Sequence, residues 1–291
     1  MAVVNTNIAA SIAQAALAKN ERALGFAMEQ LSTGKKINSA ADNAAGLAIS
    51  TRMTSQIRGL DQSIRNAFDA VSMVQTAEGA LNEITAMLQR MRELALQSGT
   101  GTADSSDRSY LNSEFVALRD EIDRISTNTE WNGRPILNGN AGASTVIAGG
   151  LSAVAYQVGM DAAQTISVAF GNFTKTTGSM NGLASKTLSA TTIASAISVA
   201  SGAIGQVDAA MTAVSKQRAS FGAVQNRLTH AVDNLTNVVT NAEVTRSRIL
   251  DTDYAAATSE LARTQIIQQA GTAMLAQANQ LPSIVLQLLQ N

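Results

Sequence analysis

The sequence predicts a mainly α-helical protein: an elongated antiparallel bundle of long helices, a coiled-coil rod, with paired terminal helices and a small central region that contains a β-hairpin. Three observations predict this fold. Apolar residues recur at steps of three and four along most of both halves of the chain. Only 3% of the 291 residues are aromatic although 45% are hydrophobic, and small apolar residues suit close helix contacts. Turn dipeptides and alternating apolar residues appear only in the middle.

The first predicted element is a helix from about Thr6 to Leu31, because apolar residues form one helical stripe along it. Gly34 should end this helix. Ser39 with Asp42 resembles a capping box at the start of the next helix. The predicted stripe is Ile8, Ile12, Ala16, Leu24, Ala27 and Leu31.

The second element is a helix from about Ala44 to Ser98, which would be on the order of 80 Å long at 1.5 Å per residue. A 3–3 step at Val71, Val74 and Ala77 is typical of a stammer, which overwinds a coiled coil locally. The full apolar series is Ile57, Leu60, Ile64, Ala67, Val71, Val74, Ala77, Leu81, Ile84, Leu88, Met91 and Ala95.

A third helix follows the loop "GTGTADSSD" and ends near Asn128. Its apolar residues again keep four-three spacing. Because the loop is short, this helix should fold back antiparallel on the second one. The spacing residues are Leu111, Phe115, Leu118, Ile122 and Ile125.

The central segment changes to turn and strand patterns. Asn132-Gly133 and Asn138-Gly139 are favourable turn dipeptides. "AYQVG" and "TISVAF" predict the two strands of a hairpin, and "GNFTKTTGSMNGLASKTLSATT" predicts a surface loop or compact tip. One face of the hairpin should carry Ile166, Val168 and Phe170.

Helical spacing returns near Ile193 and continues to Ile249, and Asp251 or Asp253 can cap a last helix. The pattern divides the chain into five parts. Residues 1–43 and 251–291 form the two halves of an inner coiled-coil core, 44–140 and 191–250 form the two halves of the rod, and 141–190 form a variable surface region with the hairpin.

Both ends of the chain are apolar and amphipathic, so they need a partner: each other, a membrane or other copies of the molecule. An antiparallel rod brings the two ends together. The ends are too short and too rich in alanine and glutamine to hold a fixed structure alone. We therefore expect disorder in the monomer and order in a polymer of the same chain.

Composition excludes several other functions. With 21 Lys+Arg against 22 Asp+Glu, the chain lacks the positive charge that nucleic-acid binding needs. It has no stretch near the roughly 20 apolar residues of a membrane span, no basic face for a membrane surface, and no pattern of a cleaved signal peptide. With no cysteine it cannot form disulfides or thiolate sites.

No catalytic, cofactor-binding or metal-binding constellation stands out, so we do not expect an enzyme. The lone His230 has no carboxylate partners at ligand spacing. Carboxylates that lie close in sequence are more simply solvated charges, ion-pair partners or helix caps than a glycosidase pair. These are Asp120, Glu121, Asp123, Asp251 and Asp253.

Several long segments in both halves of the chain are distinctive. In the first half these are "NTNIAASIAQAALAKNERALGFAMEQLSTGKKINSAADNAAGLAIS", "QRMRELALQS" and "EIDRISTNTEWNGRPIL". In the second half they are "ASFGAVQNRL", "RSRILDTDYAAATSELARTQIIQQAGTAMLAQANQ" and "LPSIVLQLL". Together these segments resemble bacterial flagellin. The resemblance covers roughly residues 1–140 and 190–291, and the order and spacing of so many segments make it specific.

The resemblance implies an extracellular filament subunit, exported unfolded by the flagellar type III apparatus without a cleaved leader. In the family the termini form an inner tube and the long helices an outer tube, and the short insertion here implies a thin, smooth filament. The implied partners are other copies, the flagellar cap, hook-junction proteins and an export chaperone. The implied polymerisation core is Ile8, Ile12, Leu24, Leu31, Leu275, Leu281, Val285 and Leu288.

The resemblance also implies recognition of the monomer by Toll-like receptor 5, which in many flagellins reads a "QRxRELAxQ" face of the long helices. Leu118 stands where activating members often carry a basic residue. The same face should pack against a neighbouring subunit in the filament. The matching residues are Gln89, Arg90, Glu93, Leu94, Gln97 and Glu114.

Two other readings are kept as alternatives. A hook–filament junction protein shares related terminal helices, although the length and the "QRMRELALQ" and "RSRILDTDY" segments favour flagellin. A secreted adhesin or hydrolase on a coiled-coil stalk would need a sugar-stacking or catalytic cluster in the tip, which offers only Tyr156, Phe170 and Phe173.

Overall fold

The computed structural model describes residues 7–140, 146–147, 151–176 and 178–289, with the backbone alone at 146–147, 151–152 and 281–289. It is mainly α-helical, as predicted. The chain forms two compact units: a terminal unit from Met1–Ile57 and Thr240–Asn291, and a central unit from Arg58–Val239. The elements are α1 Ile8–Thr33, α2 Ala40–Ser98, α3 Ser105–Asn128, β1 Glu130–Trp131, β2 Arg134–Pro135, β3 Val146–Ile147, β4 Leu151–Gln157, β5 Thr165–Phe170, α4 Asn181–Ala184, α5 Ile193–Leu250 and α6 Tyr254–Leu289.

In the terminal unit, α1 and α6 run antiparallel. The Asn20 side chain donates to the Thr264 carbonyl at 2.8 Å, and Asn7 donates to the Ala278 carbonyl at 2.8 Å. At the other end of the pair the Thr252 N–H donates to the Gly34 carbonyl at 3.0 Å. As residue numbers rise along α1, those of its partners on α6 therefore fall.

The turn between α1 and α2 contains the helix end and the capping residues that the sequence predicted. Gly34 ends α1 in the left-handed region at φ 68°, and its N–H donates to the Gln30 carbonyl. Asp42 accepts the N–H of Ser39 at 2.8 Å and that of Asn38 at 3.0 Å, and these bonds lower the pKa of Asp42. Extended Asn43 interrupts α2 and accepts the Gly46 N–H at 2.8 Å, so the continuous helix begins at residue 44.

In the central unit, α3 and α5 both run antiparallel to α2. Arg90 pairs with Glu114 at 2.8 Å, and Arg108 donates to the Ser98 carbonyl at 3.3 Å. These two contacts confirm that α3 folds back on α2 after the short loop. Between α2 and α5, Arg92 pairs with Asp208 at 2.9 Å and Gln225 donates to Glu78 at 3.4 Å.

Heptad seams on α2 and α5 form the core of this bundle. On α5 the buried residues are Ala196, Ala200, Ala203, Val207, Ala210, Val214, Gln217, Phe221, Val224, Leu228 and Leu235. On α2 they include Ser63, Ala67, Ala70, Val74, Ala77, Leu81, Ile84, Leu88, Met91, Ala95 and Ser98. Both series step by four and three with little interruption, which is typical of coiled-coil packing.

The predicted stammer at Val71, Val74 and Ala77 is wrong. Ala70 is fully buried whereas Val71 is only half-buried, so the seam passes through Ala70 and keeps its alternating steps there. Small side chains lie where helices approach most closely, and the larger valine packs beside the seam.

The predicted hairpin is β4–β5, which pair antiparallel with Val154 opposite Val168. Its inward face carries Ile166, Val168 and Phe170, the three residues predicted to share a face, and all three are buried. Phe170 packs against Phe221 of α5 with ring centroids 5.4 Å apart. The Asn132-Gly133 turn between β1 and β2 is also confirmed, since both residues have positive φ, as a type I′ turn requires.

The segment after β5 was predicted as a surface loop or compact tip, but part of it belongs to the core. Phe173 is buried, and its N–H donates to the Leu137 carbonyl at 2.9 Å. The short helix α4 lies in the same segment. Isolated apolar residues among polar ones gave no periodic signal, and long-range contacts alone bury them. The buried residues are Phe173, Met180, Leu183 and Leu188.

Among the described residues one helix, α5, is long and apolar enough to cross a membrane by length and composition alone. The sequence had predicted no such stretch. About 28% of the most apolar 18-residue window of α5 is buried, and the buried seam of this helix lies in the central unit.

Candidate assembly and recognition surfaces

The seam between α1 and α6 is built from leucines, small residues and a few polar residues. On α1 the buried and half-buried series is Ala10, Ala13, Leu17, Asn20, Leu24, Ala27 and Leu31. On α6 it is Ala257, Leu261, Thr264, Gln268, Gly271, Leu275 and Ala278. Both series alternate steps of three and four, so the two helices pack along one heptad seam.

Close approach and one buried amide characterise this seam. A Cβ added at Gly271 would lie 2.8 Å from Leu17 Cδ2, so the two helices nearly touch there. Asn20 is buried, and its bond to the Thr264 carbonyl satisfies its amide across the seam. A polar group at a seam position favours one register of the helix pair, because other registers leave it unpaired.

The predicted α1 stripe is partly wrong. Leu24, Ala27 and Leu31 lie on the seam, but Ile8 and Ile12 are 57% and 65% exposed. Ala16 is exposed too. In a helix this rich in alanine, two stripes have apolar periodicity, and the one with the smaller side chains allows the closer approach to α6.

The predicted polymerisation residues therefore separate into two groups. Leu24, Leu31 and Leu275 are half-buried within the chain, whereas Ile8 and Ile12 are exposed. The side chains of Leu281, Val285 and Leu288 lie outside the described residues.

One side of the α1–α6 pair carries several large exposed apolar residues, together with the charged residues Lys19, Glu260 and Arg263. In an antiparallel pair, the residues that precede each seam position lie on the same side in both helices. On this side the large exposed residues are Ile12, Phe26, Ile267 and Met274. We call this surface the apolar flank and define it by Ile12, Ala16, Ala23, Phe26, Ile267, Ala270 and Met274.

The opposite side, formed by residues that follow each seam position, is mostly polar. We call it the polar flank and define it by Ser11, Gln14, Glu21, Thr258, Gln265, Gln269, Thr272 and Asn279. Exposed large apolar residues that cluster on one side of a surface mark an interaction site, whereas scattered ones are ordinary. The terminal unit thus presents more exposed large apolar residues on one side of the helix pair than on the other.

The face predicted for receptor contact is on the central unit. Gln89, Arg90, Glu93 and Gln97 are exposed on α2, and Glu114 is exposed on α3. Leu94, which was predicted to belong to this face, is 0% exposed and lies in the core. Its place in the motif is explained by the heptad spacing, which carries Leu94 to the inner side of α2.

Ion pairs organise this face. Arg90 pairs with Glu114 at 2.8 Å and with Glu93 at 3.1 Å, and the hydrogen bond to Glu114 is the main cause of the raised pKa of Arg90. Such solvent-exposed pairs contribute only about 0–1 kcal/mol to stability. These surface charges can therefore be replaced with little loss of stability. Leu118 is half-buried against the core below this face.

A cleft of about 550 Å³ in the central unit is lined by Asp69, Met73, Trp131, Arg134 and Tyr156, together with Asn132 and Val154. Burial raises the pKa of Tyr156 to about 12, and its hydroxyl donates to the Met73 sulfur at 2.5 Å. This phenol therefore stays protonated to a higher pH than an ordinary tyrosine. Within the described ranges, no group of three or more histidine, aspartate or glutamate residues could hold a metal ion.

Comparison with known families matches both halves of the chain. The profile of the bacterial flagellin N-terminal helical region matches residues 4–142, and that of the bacterial flagellin C-terminal helical region matches residues 204–289. The matched ranges include both helices of the terminal seam and the face around Arg90.

Full-length relatives and a solved structure agree. Flagellin A of Vibrio cholerae is 37% identical and flagellin of Bacillus subtilis is 43% identical, each over 99% of this chain and 99% of the relative. A structure described as a proposed flagellar hook-associated protein from Vibrio parahaemolyticus has a TM-score of 0.57 at 15% identity. It covers 72% of this chain and 100% of that chain, and at this identity the likeness concerns the fold alone.

Proposed function

The chain belongs to the bacterial flagellin family and is a structural subunit of the flagellar filament, and from this premise we propose that it self-assembles through the apolar flank of its terminal unit. The observation that carries the proposal is that four large exposed apolar residues lie on the apolar flank of the α1–α6 pair, whereas of the described side chains of this kind Met28 alone lies among the residues that follow seam positions on the opposite side. A monomer leaves Ile12 and Met274 each 65% exposed. Copies that stack along a tube would remove them from water.

The burial term is large enough to drive polymerisation. Fully burying an Ile, Phe or Met side chain contributes about 1.5–3 kcal/mol, so burying the exposed half of the four large flank residues contributes on the order of 4 kcal/mol per subunit. A tenfold change in affinity corresponds to about 1.4 kcal/mol. Removing even one flank contact should therefore be measurable.

Charge substitutions on the two flanks test the proposal. We expect Met274→Glu to raise the critical concentration for seeded assembly of the full chain by more than tenfold, because an unpaired carboxylate cannot be buried among apolar residues. Thr272→Glu places the same charge two residues away, on the polar flank, and should change it by less than threefold. Helix content by circular dichroism should be unchanged in both. Equal effects of the two substitutions would refute the proposal.

The end of α6 should also contribute to filament assembly. We propose that residues 272–291 complete the assembly surface, because they include the flank residue Met274 and the seam residue Leu275. A chain that lacks them should stay monomeric while the central unit keeps its helical circular dichroism. Normal polymerisation of the truncated chain would contradict this role for the tail.

The subunit should reach its site of assembly outside the cell by type III export in an unfolded state, without loss of a leader. Family membership and the absence of cysteine support this route, since no disulfide has to form or break during passage. A dedicated chaperone would hold the chain before export, and cap and hook-junction proteins would receive it at the filament end. Mass spectrometry of filament subunits should find the chain beginning at residue 1 or 2; a shorter mature chain would argue against a leaderless route.

We also propose that Toll-like receptor 5 recognises the monomer through Gln89, Arg90, Glu93, Gln97 and Glu114. Their exposure and the ion pairs around Arg90 support this, while Leu94 would act only by packing beneath the face.

A matched pair of arginine substitutions tests receptor recognition. Arg90→Ala should lower receptor activation by purified monomer at least tenfold in a reporter-cell assay, with thermal unfolding unchanged. Arg124→Ala removes another exposed i,i+3 ion pair, with Glu121, and serves as the control. If both variants activate equally, the Arg90 face is not the contact.

A hook–filament junction role is the second candidate, because the hook-associated structure shares the fold. The two roles differ in what the purified chain does alone. A filament subunit should form long filaments on seeds or with ammonium sulfate, whereas a junction protein should stop after short assemblies. Full-length likeness to named flagellins favours the first, and we do not propose the coiled-coil adhesin.

A further inference from the structure

Methionine is the only sulfur-containing residue of this chain, which has ten methionines and no cysteine. Among the described side chains three methionines are largely exposed: Met28 at 55%, Met160 at 46% and Met274 at 65%. The others described are buried or half-buried: Met53, Met73, Met87, Met91, Met180 and Met211. Exposed thioethers are the ones that oxidants reach first.

The three exposed methionines occupy different surfaces. Met274 immediately precedes the seam residue Leu275 and so belongs to the apolar flank. It lies level with Ile12, because Asn7 contacts Ala278 and Asn20 contacts Thr264 on either side of that level. Met28 follows a seam residue, on the other side of the pair, and Met160 is in the central unit.

We propose that Met274 is an oxidation site that controls whether a monomer can join a filament. Hydrogen peroxide transfers one oxygen atom to the thioether sulfur; the sulfur is oxidised to the sulfoxide, and the peroxide is reduced to water. The inference rests on the proposed assembly through the apolar flank.

The chemistry of the flank explains why one oxygen atom matters there. A sulfoxide oxygen is a strong hydrogen-bond acceptor, and burying it without a donor is unfavourable. Ile12, Ile267 and Ala270 on the flank carry no side-chain donors, and Gln277, three residues after Met274, is the exposed polar residue next along this side of α6. The seam beneath is unaffected because Met274 points mostly to solvent, so the oxidised monomer should keep its fold and lose its partner surface.

An internal competition tests the proposal without any substitution. Full-length monomer is treated with hydrogen peroxide until each exposed methionine is about half oxidised, and filament seeds are then added. Peptide mass spectrometry compares the sulfoxide fraction in pelleted filaments with that in the supernatant. We expect Met274 sulfoxide to be depleted from filaments at least fivefold, while Met28 sulfoxide and Met160 sulfoxide are distributed evenly. Equal incorporation of Met274 sulfoxide would overturn the proposal.

Substitution and repair give a second measurement. Met274→Leu keeps the apolar volume without the sulfur and should assemble equally well before and after peroxide, whereas Met28→Leu and Met160→Leu should lose assembly like the unsubstituted chain. Methionine sulfoxide reductase should restore assembly of the oxidised unsubstituted chain. If Met274→Leu is as peroxide-sensitive as that chain, the site is wrong. If Met274→Leu does not assemble even untreated, the internal competition still decides.

The outcomes distinguish a failure of the oxidation inference from a failure of the proposed assembly through the apolar flank. If Met274→Glu blocks assembly but sulfoxide-bearing chains enter filaments normally, the flank is correct and the oxidation inference fails. If Met274→Glu assembles at the unsubstituted critical concentration, the flank itself is wrong and both fail.

Discussion

Gln217 should be the polar residue that holds the hairpin on the long helices. It is buried on the α5 seam, and its Nε2 donates to the Ala169 carbonyl at 2.7 Å. In the strand order β3-β4-β5, β5 is an outer strand, so this carbonyl lies on an edge that no described strand pairs. Replacing Gln217 by methionine keeps the length of the side chain and removes the donor.

The expected cost follows from the bond and the group it leaves behind. A lost hydrogen bond costs about 0.5–1.5 kcal/mol, and a fully buried carbonyl left without its partner costs about 1–3 kcal/mol; because Ala169 is half-buried, the lower part of that range applies. These terms overlap, so Gln217→Met should lower the free energy of unfolding by about 2 kcal/mol. Gln217→Ala also removes the packing of the side-chain atoms beyond Cβ, so it should cost about 1–2 kcal/mol more than Gln217→Met.

A third variant, Gln217→Glu, separates hydrogen bonding from packing through pH. An ionised carboxylate cannot donate to the Ala169 carbonyl, whereas the protonated acid can. Burial raises the pKa of such a carboxyl, so this variant's stability should be lost as pH rises through the raised folded pKa. It should be least stable near pH 7 and recover toward pH 5.

Equilibrium urea unfolding of the monomer, followed by the fluorescence of the single tryptophan, Trp131, measures all three variants in the unit concerned. The unsubstituted chain is measured at both pH values as the reference. Neutral surface substitutions usually change the free energy of unfolding by less than about 0.5 kcal/mol. If Gln217→Met changes it by no more than this, and the stability of Gln217→Glu relative to the unsubstituted chain does not depend on pH, the bond does not hold the hairpin.

Three further results are expected. Gly171→Ala should destabilise the monomer by about 1–3 kcal/mol, because the new Cβ would lie 2.8 Å from a ring carbon of buried Phe173. Gly79→Ala, whose Cβ would meet nothing within 4 Å, should stabilise the monomer by about 0.5–1 kcal/mol in the same urea assay; opposite signs would refute the packing argument. Because burial raises the pKa of Tyr156 to about 12 from 10, its contribution should be complete below pH 10 and lost as pH rises toward 12. The loss should be on the order of 1 kcal/mol after allowing for partial exposure, and Tyr156→Phe should abolish both that loss and the ultraviolet phenolate transition near pH 12.

Local chemistry was readable in the sequence. The end of α1 at Gly34, the Asn132-Gly133 turn and the cap at Asp253, which accepts the Ala255 N–H at 2.9 Å, depend on a few neighbouring residues. The hairpin face of Ile166, Val168 and Phe170 followed from strict alternation. Such features need only backbone geometry and side chains within a few positions, so they are determined before any tertiary contact forms.

Tertiary structure alone decided which of several apolar stripes became a seam. Periodicity placed Ile12 on the predicted stripe, and only the approach of α6 assigned the neighbouring Ala13 to the seam and Ile12 to the exposed flank. The same selection favoured Ala70 over Val71, buried Leu94 beneath the Arg90 face, and brought Phe173 into the core. In a chain this rich in alanine many stripes have equal hydrophobicity, and steric fit between whole helices, which no local pattern encodes, separates them.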